Sequence, residues 1–142
     1  MGTVRLIHAK LHRVRVTSTN VDYVGSLTID PELLDKVGLL PLEEVDVVNL
    51  NNGKRWSTYV IPGTAGSREI CPNGGAALLC DPGDLLIVYA YETCDRINLK
   101  SHLAKVLVAD AQNNVAELMS QILVQDMGAW KFTVETHNQE SP

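Results

Sequence analysis

The strongest constraint on the fold of this chain is a series of short β-type runs separated by turn residues, which fills its first two-thirds. Residues 45–50 lead into an Asn-Asn-Gly turn at 51–53, whose tolerance of positive φ favours a hairpin, and residues 56–61 form the returning strand. Residues 85–91 are almost continuously apolar after an Asp-Pro-Gly-Asp turn and predict a buried strand. Shorter runs of this kind are residues 11–17 and 26–29. The pattern predicts a mostly β domain of the barrel type.

Two helices are predicted beside these strands. Asp30 suits an N-cap, Pro31 suits the first helical position, and Gly38 can end the helix after Val37. In the C-terminal part, apolar residues recur at helical spacing and predict a helical extension: Val115, Leu118, Met119, Ile122 and Leu123. We interpret this stripe as a core or oligomer contact rather than a cofactor-binding face.

Size and charge narrow the classes of function. A chain of 142 residues can bury roughly 68–70% of its unfolded surface, so we expect one domain over residues 1–136, followed by a disordered tail over 137–142. The net charge of −5 argues against a general nucleic-acid binder. Cys71, Cys80, Cys94 and the scattered histidines lack zinc-binding spacing, so no metal is expected. An odd cysteine count without a secretory signal, and no apolar run near ~20 residues, favour a cytoplasmic protein away from the membrane.

Three segments carry residues suited to chemistry. They are Lys10-Leu11-His12-Arg13 with Tyr23-Val24-Gly25-Ser26, then Asn52-Gly53-Lys54-Arg55-Trp56-Ser57-Thr58-Tyr59, and Gly66-Ser67-Arg68 with Asn73-Gly74-Gly75-Ala76-Ala77. Together and in this order, they resemble the signature blocks of the bacterial aspartate 1-decarboxylase family, the pyruvoyl enzymes of pantothenate (coenzyme A) biosynthesis. The resemblance runs from about residue 9 to residue 89 and fades after about Glu92.

The resemblance implies a fold, an assembly and a reaction. The fold is a double-psi β-barrel, which assembles as a homotetramer with active sites between neighbouring subunits. The reaction converts L-aspartate to β-alanine and carbon dioxide. A helper protein for maturation is a partner that the resemblance leaves open.

The resemblance also implies that the chain is a zymogen that cleaves itself between Gly25 and Ser26. A serine hydroxyl can attack the preceding carbonyl, exchanging the amide for an ester, and glycine tolerates backbone dihedrals closed to other residues. Strain at such a position is worth roughly 1–3 kcal/mol. In the family, β-elimination and hydrolysis then turn the serine into a pyruvoyl group. The alternative for the dipeptide alone is an ordinary turn before a strand.

A pyruvoyl ketone would replace pyridoxal phosphate, for which this sequence has no Gly-rich phosphate loop. It could form the same Schiff base with the substrate amine. Two alternatives remain: a pyruvoyl decarboxylase with another substrate, and a non-catalytic barrel that binds a partner or a small molecule.

Four residues are assigned to substrate and proton chemistry. Arg55 can hold a carboxylate through two parallel hydrogen bonds, and Lys10 is the second cation for a diacid. Tyr59 is the expected proton donor, because a phenol with a pKa near 10 stays protonated at neutral pH. Thr58 points to the opposite face of a regular strand. By resemblance, Thr58 contacts the carbonyl before the scissile bond and also belongs to the substrate site. Arg55 and Lys10 could instead be surface charges, and Tyr59 an ordinary half-buried strand residue.

The loop Asn73-Gly74-Gly75-Ala76 offers an amide side chain and backbone N–H groups that can approach an anionic substrate. Family members often have alanine at the position of Gly75, and a plain turn-to-helix junction fits the same residues. His12 and Arg13 either line the pocket or lie on an exposed strand face, and Tyr23, just before the cleavage point, is a further candidate for the pocket.

Overall fold

A computed structural model describes residues 2–137, which form nine β-strands, one α-helix and two short 3₁₀ helices. The strands are β1 (Thr3–Arg15), β2 (Ser26–Ile29), β3 (Glu44–Asn49), β4 (Arg55–Pro62), β5 (Ile70–Asn73), β6 (Leu85–Asp95), β7 (Ser101–Ala109), β8 (Val115–Asp126) and β9 (Ala129–His137). The α-helix α1 spans Pro31–Val37, and the 3₁₀ helices span Gly74–Leu79 and Arg96–Asn98. The prediction of a mostly β chain with short helices is confirmed.

The strands follow the order β5-β2-β4-β3-β6-β1-β7-β8-β9. β1 pairs with β7, and β2 with β4, in parallel, whereas the other neighbours are antiparallel. Side chains that alternate along the strands fill the core, with Leu11, Val88 and Val47 fully buried in one row across β1, β6 and β3. Alternation also explains why only every second residue of the apolar run in β6 is fully buried.

The predicted turn chemistry of the first helix and the first hairpin is confirmed. The Asp30 carboxylate accepts a hydrogen bond from the Glu32 backbone N–H at 2.9 Å, and Gly38 ends α1 with φ of 79°. Gly53 has φ of 75° in the turn between β3 and β4.

The prediction of a C-terminal helix is wrong, because residues 115–126 form strand β8. Both faces of β8 are partly buried, so its apolar residues do not alternate strictly and they mimic helical spacing. The local signal for the hairpin lies at its tip, where Met127 and Gly128 both have positive φ, 53° and 81°. Two left-handed residues in succession fit the strand twist of a two-residue hairpin turn.

The predicted tail begins within a strand. His137 ends β9, and its Nε2 lies 2.7 Å from the Ser120 hydroxyl of β8. Residues 138–142 lie outside the described part of the chain. Among residues 2–137, no helix has the length and apolar character needed to span a membrane.

Candidate functional site

Ser26 is buried at the start of β2, and its hydroxyl has two polar partners. It donates to the Val24 carbonyl at 3.0 Å and accepts from the Asn73 side-chain amide at 2.9 Å. The antiparallel pairing of β2 with β5 sets Ser26 directly opposite Asn73. The same amide donates to Thr28 Oγ1 at 2.9 Å, so both of its hydrogens are used. The Ser26 hydroxyl is therefore held in one orientation.

The loop before Ser26 is exposed and lies against Gly74. Val24 is 72% exposed, while Gly74 has φ of 65°. A Cβ on Gly74 would lie 2.8 Å from the Gly25 Cα, which is closer than real Cβ contacts come. Gly25 itself does not adopt a left-handed φ, and a Cβ there would meet open space. The position that requires glycine is Gly74, which the motif assigned only to a substrate-facing loop.

Thr58 and Tyr59 lie on β4, beside β2. The parallel register pairs Leu27 with Val60, and continuing it by one residue sets Ser26 beside Tyr59. Because paired residues share a face, Tyr59 leaves β4 on the side of Ser26, whereas Thr58 leaves it on the opposite side. Within residues 2–137, the Thr58 hydroxyl makes no hydrogen bond.

Lys10, His12 and Arg55 share one face of the sheet. Two rows of paired residues cross β1, β6, β3 and β4 in that order. The first row is Lys10, Tyr89, Asp46 and Ser57, and the second is His12, Ile87, Val48 and Arg55. Lys10 lies three strand spacings from β4, a distance of about 14 Å along the sheet. One chain therefore brings Arg55 and Tyr59 onto a common face of β4 but leaves Lys10 three strands away.

His12 is kept neutral by its surroundings. Burial lowers its pKa, and the positive charges of Lys10 and Arg13 lower it further. Its Nδ1 is buried without a hydrogen-bond partner among the described residues. Arg13 is exposed with φ of 65° beside a bulge of β1, and Tyr23 is half-exposed. Among the described residues, the hydrogen-bond partners of the Ser26 hydroxyl are Val24 and Asn73, not Arg13 or Tyr23.

The third sequence block binds the Asp30 carboxylate at the N-terminus of α1 through Gly66 and Arg68, a set of hydrogen bonds that we call the Asp30 clasp. The fully buried Asp30 carboxylate accepts from the Arg68 backbone N–H at 2.8 Å, the Arg68 guanidinium at 2.9 Å and the Gly66 N–H at 3.1 Å. Burial alone would raise the pKa of Asp30, but these hydrogen bonds and that of Glu32 hold it below its ordinary value. Sequence reasoning misses this role of Arg68, because its partner is distant in the chain.

After Asn73, the loop becomes the 3₁₀ helix Gly74–Leu79, in agreement with a turn-to-helix junction. Gly75 is exposed and Ala76 is half-buried, so this part of the loop lies at the surface directly after Asn73 and Gly74. A Cβ on Gly75 would meet nothing, so the alanine common in the family fits this backbone. A polar groove of about 460 Å³ lies farther along the sheet, between Arg5, Asp46 and Tyr91.

Fold and site together define a small, mostly β protein with a buried, hydrogen-bonded serine at the start of a strand. The chain matches the model of the aspartate decarboxylase family over residues 2–116. The aspartate 1-decarboxylase of Crocosphaera subtropica is 66% identical over 140 residues, which cover 97% of this chain and 91% of the relative. The enzyme of that name from Synechocystis sp. is 61% identical over 93% of this chain and 92% of its own length. That from Anoxybacillus flavithermus is 47% identical over 82% of this chain and 91% of its own length.

The chain belongs to the aspartate decarboxylase family, and the prediction of an enzyme of this family is confirmed. The sequence blocks predict that the similarity fades after about Glu92, and this prediction is wrong. The similarity continues to residue 116 in the family model and through almost the whole chain in the Crocosphaera relative.

Proposed function

We propose that the protein cleaves its own Gly25–Ser26 bond and then decarboxylates L-aspartate to β-alanine and carbon dioxide, with a pyruvoyl group made from Ser26. The observation that carries the proposal is the buried Ser26 hydroxyl, fixed by Asn73 directly after an exposed loop, in a chain of this family. The product would supply pantothenate synthesis in the cytoplasm.

Self-processing begins at the Ser26 hydroxyl. The oxygen adds to the Gly25 carbonyl carbon, and its proton, which the hydrogen bond to the Val24 carbonyl orients in the uncleaved chain, is transferred to the Ser26 nitrogen. Breaking the C–N bond then gives an ester and a free amine. The family resemblance assigns Thr58, whose side chain leaves β4 on the face opposite Ser26, as the donor to the Gly25 carbonyl oxygen, where it would stabilise the negative charge that develops in this step. The Asn73 amide holds the nucleophile in place.

The residues around Ser26 suit a ketone at that position. The Asn73 amide is a donor that can bind a carbonyl oxygen as it now binds the hydroxyl. When present, the pyruvoyl group would bind the substrate amine and withdraw electrons from its α-carbon. Tyr59 delivers the proton that replaces the carboxyl group. Asn73, Gly74, Gly75 and Ala76 line the substrate side.

Arg55 and Lys10 bind the two carboxylates of the substrate. The separation of Lys10 from β4 within one chain supports a site completed by a second copy, as in a homotetramer of double-psi β-barrels with sites between subunits. His12 and Tyr23 complete the pocket wall. Two cations favour a diacid over a basic amino acid.

Reductive trapping tests this function. Borohydride added with radiolabelled L-aspartate should attach the substrate to the fragment of residues 26–142 and abolish β-alanine formation. Ser26→Ala should take up no label, and glutamate should label the parent protein far less than aspartate. A label on a lysine, or a requirement for pyridoxal phosphate, would overturn the assignment.

A further inference from the structure

Glu92, Cys94 and His102 come together on β6 and β7, and none of them belongs to the proposed active site. One potential ligand atom from each residue lies within 4.8 Å of the other two. Glu92 and Cys94 are two apart on β6, and His102 is on β7, the strand beyond β1. The set is a carboxylate, a thiol and an imidazole.

The tautomer of His102 leaves one nitrogen open for a ligand bond. Its Nε2 lies 2.6 Å from the Ile7 carbonyl oxygen, which can only accept, so Nε2 carries the hydrogen. In the neutral ring, Nδ1 then presents a lone pair, and it lies 3.3 Å from a Glu92 carboxylate oxygen. Two acceptors at this distance need a proton or a cation between them. Metal-binding histidines show the same second hydrogen bond to a backbone carbonyl.

The spacing fits a tetrahedral ion. Nitrogen and oxygen ligands at 2.0–2.2 Å from Zn²⁺ stand about 3.3 Å apart at the tetrahedral angle. A bound cation would hold Cys94 as the thiolate, the form in which cysteine binds metals.

We propose that Glu92, Cys94 and His102 form a binding site for a borderline divalent cation, of which Zn²⁺ fits best. Mixed sulfur, nitrogen and oxygen ligands favour zinc over Mg²⁺ or Ca²⁺, which take oxygen ligands. The site joins β6 to β7 across β1 and leaves a fourth position open. Sequence spacing gives no sign of it, because the fold brings the ligands together from two strands.

Cobalt titration of the purified, chelator-treated protein tests the site, because Co²⁺ reports its ligands by absorption. We expect one Co²⁺ per chain, with thiolate charge-transfer absorption in the near ultraviolet and tetrahedral bands in the visible. Stoichiometric Zn²⁺ should bleach both. Cys94→Ser should remove the charge-transfer band, and Glu92→Gln, at an exposed side chain, should weaken Co²⁺ binding by at least about 10-fold.

His8→Gln is the matched control. His8 also pairs with a carboxylate, that of Glu43, but among the described residues this pair belongs to no cluster with a thiol. The control should bind Co²⁺ as the parent does. The proposal is overturned if the parent gives no cobalt spectrum, if the charge-transfer band survives Cys94→Ser, or if His8→Gln removes it.

Discussion

Thr58 and Tyr59 are neighbours in sequence, yet β4 turns them toward opposite faces. Tyr59→Phe should still cleave at Gly25–Ser26, because self-processing does not use the proton donor of the decarboxylation. Its β-alanine production should fall by about 10²–10⁴-fold, the usual loss for a general acid. Thr58→Val keeps the side-chain shape without the hydroxyl and should accumulate the uncleaved chain. A denaturing gel and a β-alanine assay measure both effects. Blocked cleavage in Tyr59→Phe with normal cleavage in Thr58→Val would reverse the two roles.

Gly74 tests whether the loop geometry matters for cleavage. Gly74→Ala places a Cβ against Gly25 in a backbone with φ of 65°, so it should lower the free energy of unfolding by about 1–3 kcal/mol and slow cleavage. Gly75→Ala is the matched control, since its Cβ meets open space; its stability and cleavage should match the parent. Chemical denaturation and a time course of cleavage provide the readouts. Equal behaviour of the two variants would exclude this role of Gly74.

At the residue scale, the sequence predicts what depends on local order. Alternation alone separates Thr58 from Tyr59. Position 74 requires glycine because its backbone comes close to Gly25. The hydrogen bond between Asn73 and Ser26 arises because β2 pairs with β5. Both contacts join distant parts of the chain, so no local pattern could predict them.

At the scale of elements, the Asp30 clasp should dominate the stability of α1. Asp30→Asn replaces a buried carboxylate that faces donors only, and should destabilise the protein by about 3 kcal/mol. Asp35→Asn, at an exposed position of the same helix, should change stability little. Thermal or urea unfolding at neutral pH compares the two variants.

The clasp also has a pH signature. The pKa of Asp30 is lowered by folding, so its contribution is complete above the unfolded value of 3.8 and is lost as pH falls through the folded pKa. Below pH 3.8, the parent should therefore lose more stability than Asp30→Asn does. Equal losses in acid, or equal stability of the parent and Asp30→Asn at neutral pH, would contradict the clasp.

Elements with strong local signals are predicted well from the sequence. The capped helix α1 and the hairpin at Gly53 have their own turn residues. β8 differs from the predicted helix, because residues on both of its faces are partly buried, which masks the two-residue period. The glycine of the turn at Met127 and Gly128 favours a hairpin over the helix that the apolar spacing indicates.

At the scale of the whole molecule, the residues of the proposed site fall into two groups within one chain. Ser26, Asn73 and Tyr59 gather around β2, whereas Lys10 lies three strands from β4. The motifs allow these residues to be chosen from the sequence, but only the sheet order reveals that they fall into two groups. The proposed activity nevertheless depends on a single covalent bond, that between Gly25 and Ser26.

Intact-mass measurement of the purified protein under denaturing conditions, beside Ser26→Ala, tests that bond. Self-cleavage predicts two species in the matured parent: residues 1–25, and residues 26–142 starting with a pyruvoyl group that resists Edman sequencing. Ser26→Ala should remain one chain without activity. A parent protein that forms β-alanine while its mass stays that of the uncleaved chain, or a Ser26→Ala variant that yields the same two fragments, would contradict self-cleavage at Ser26.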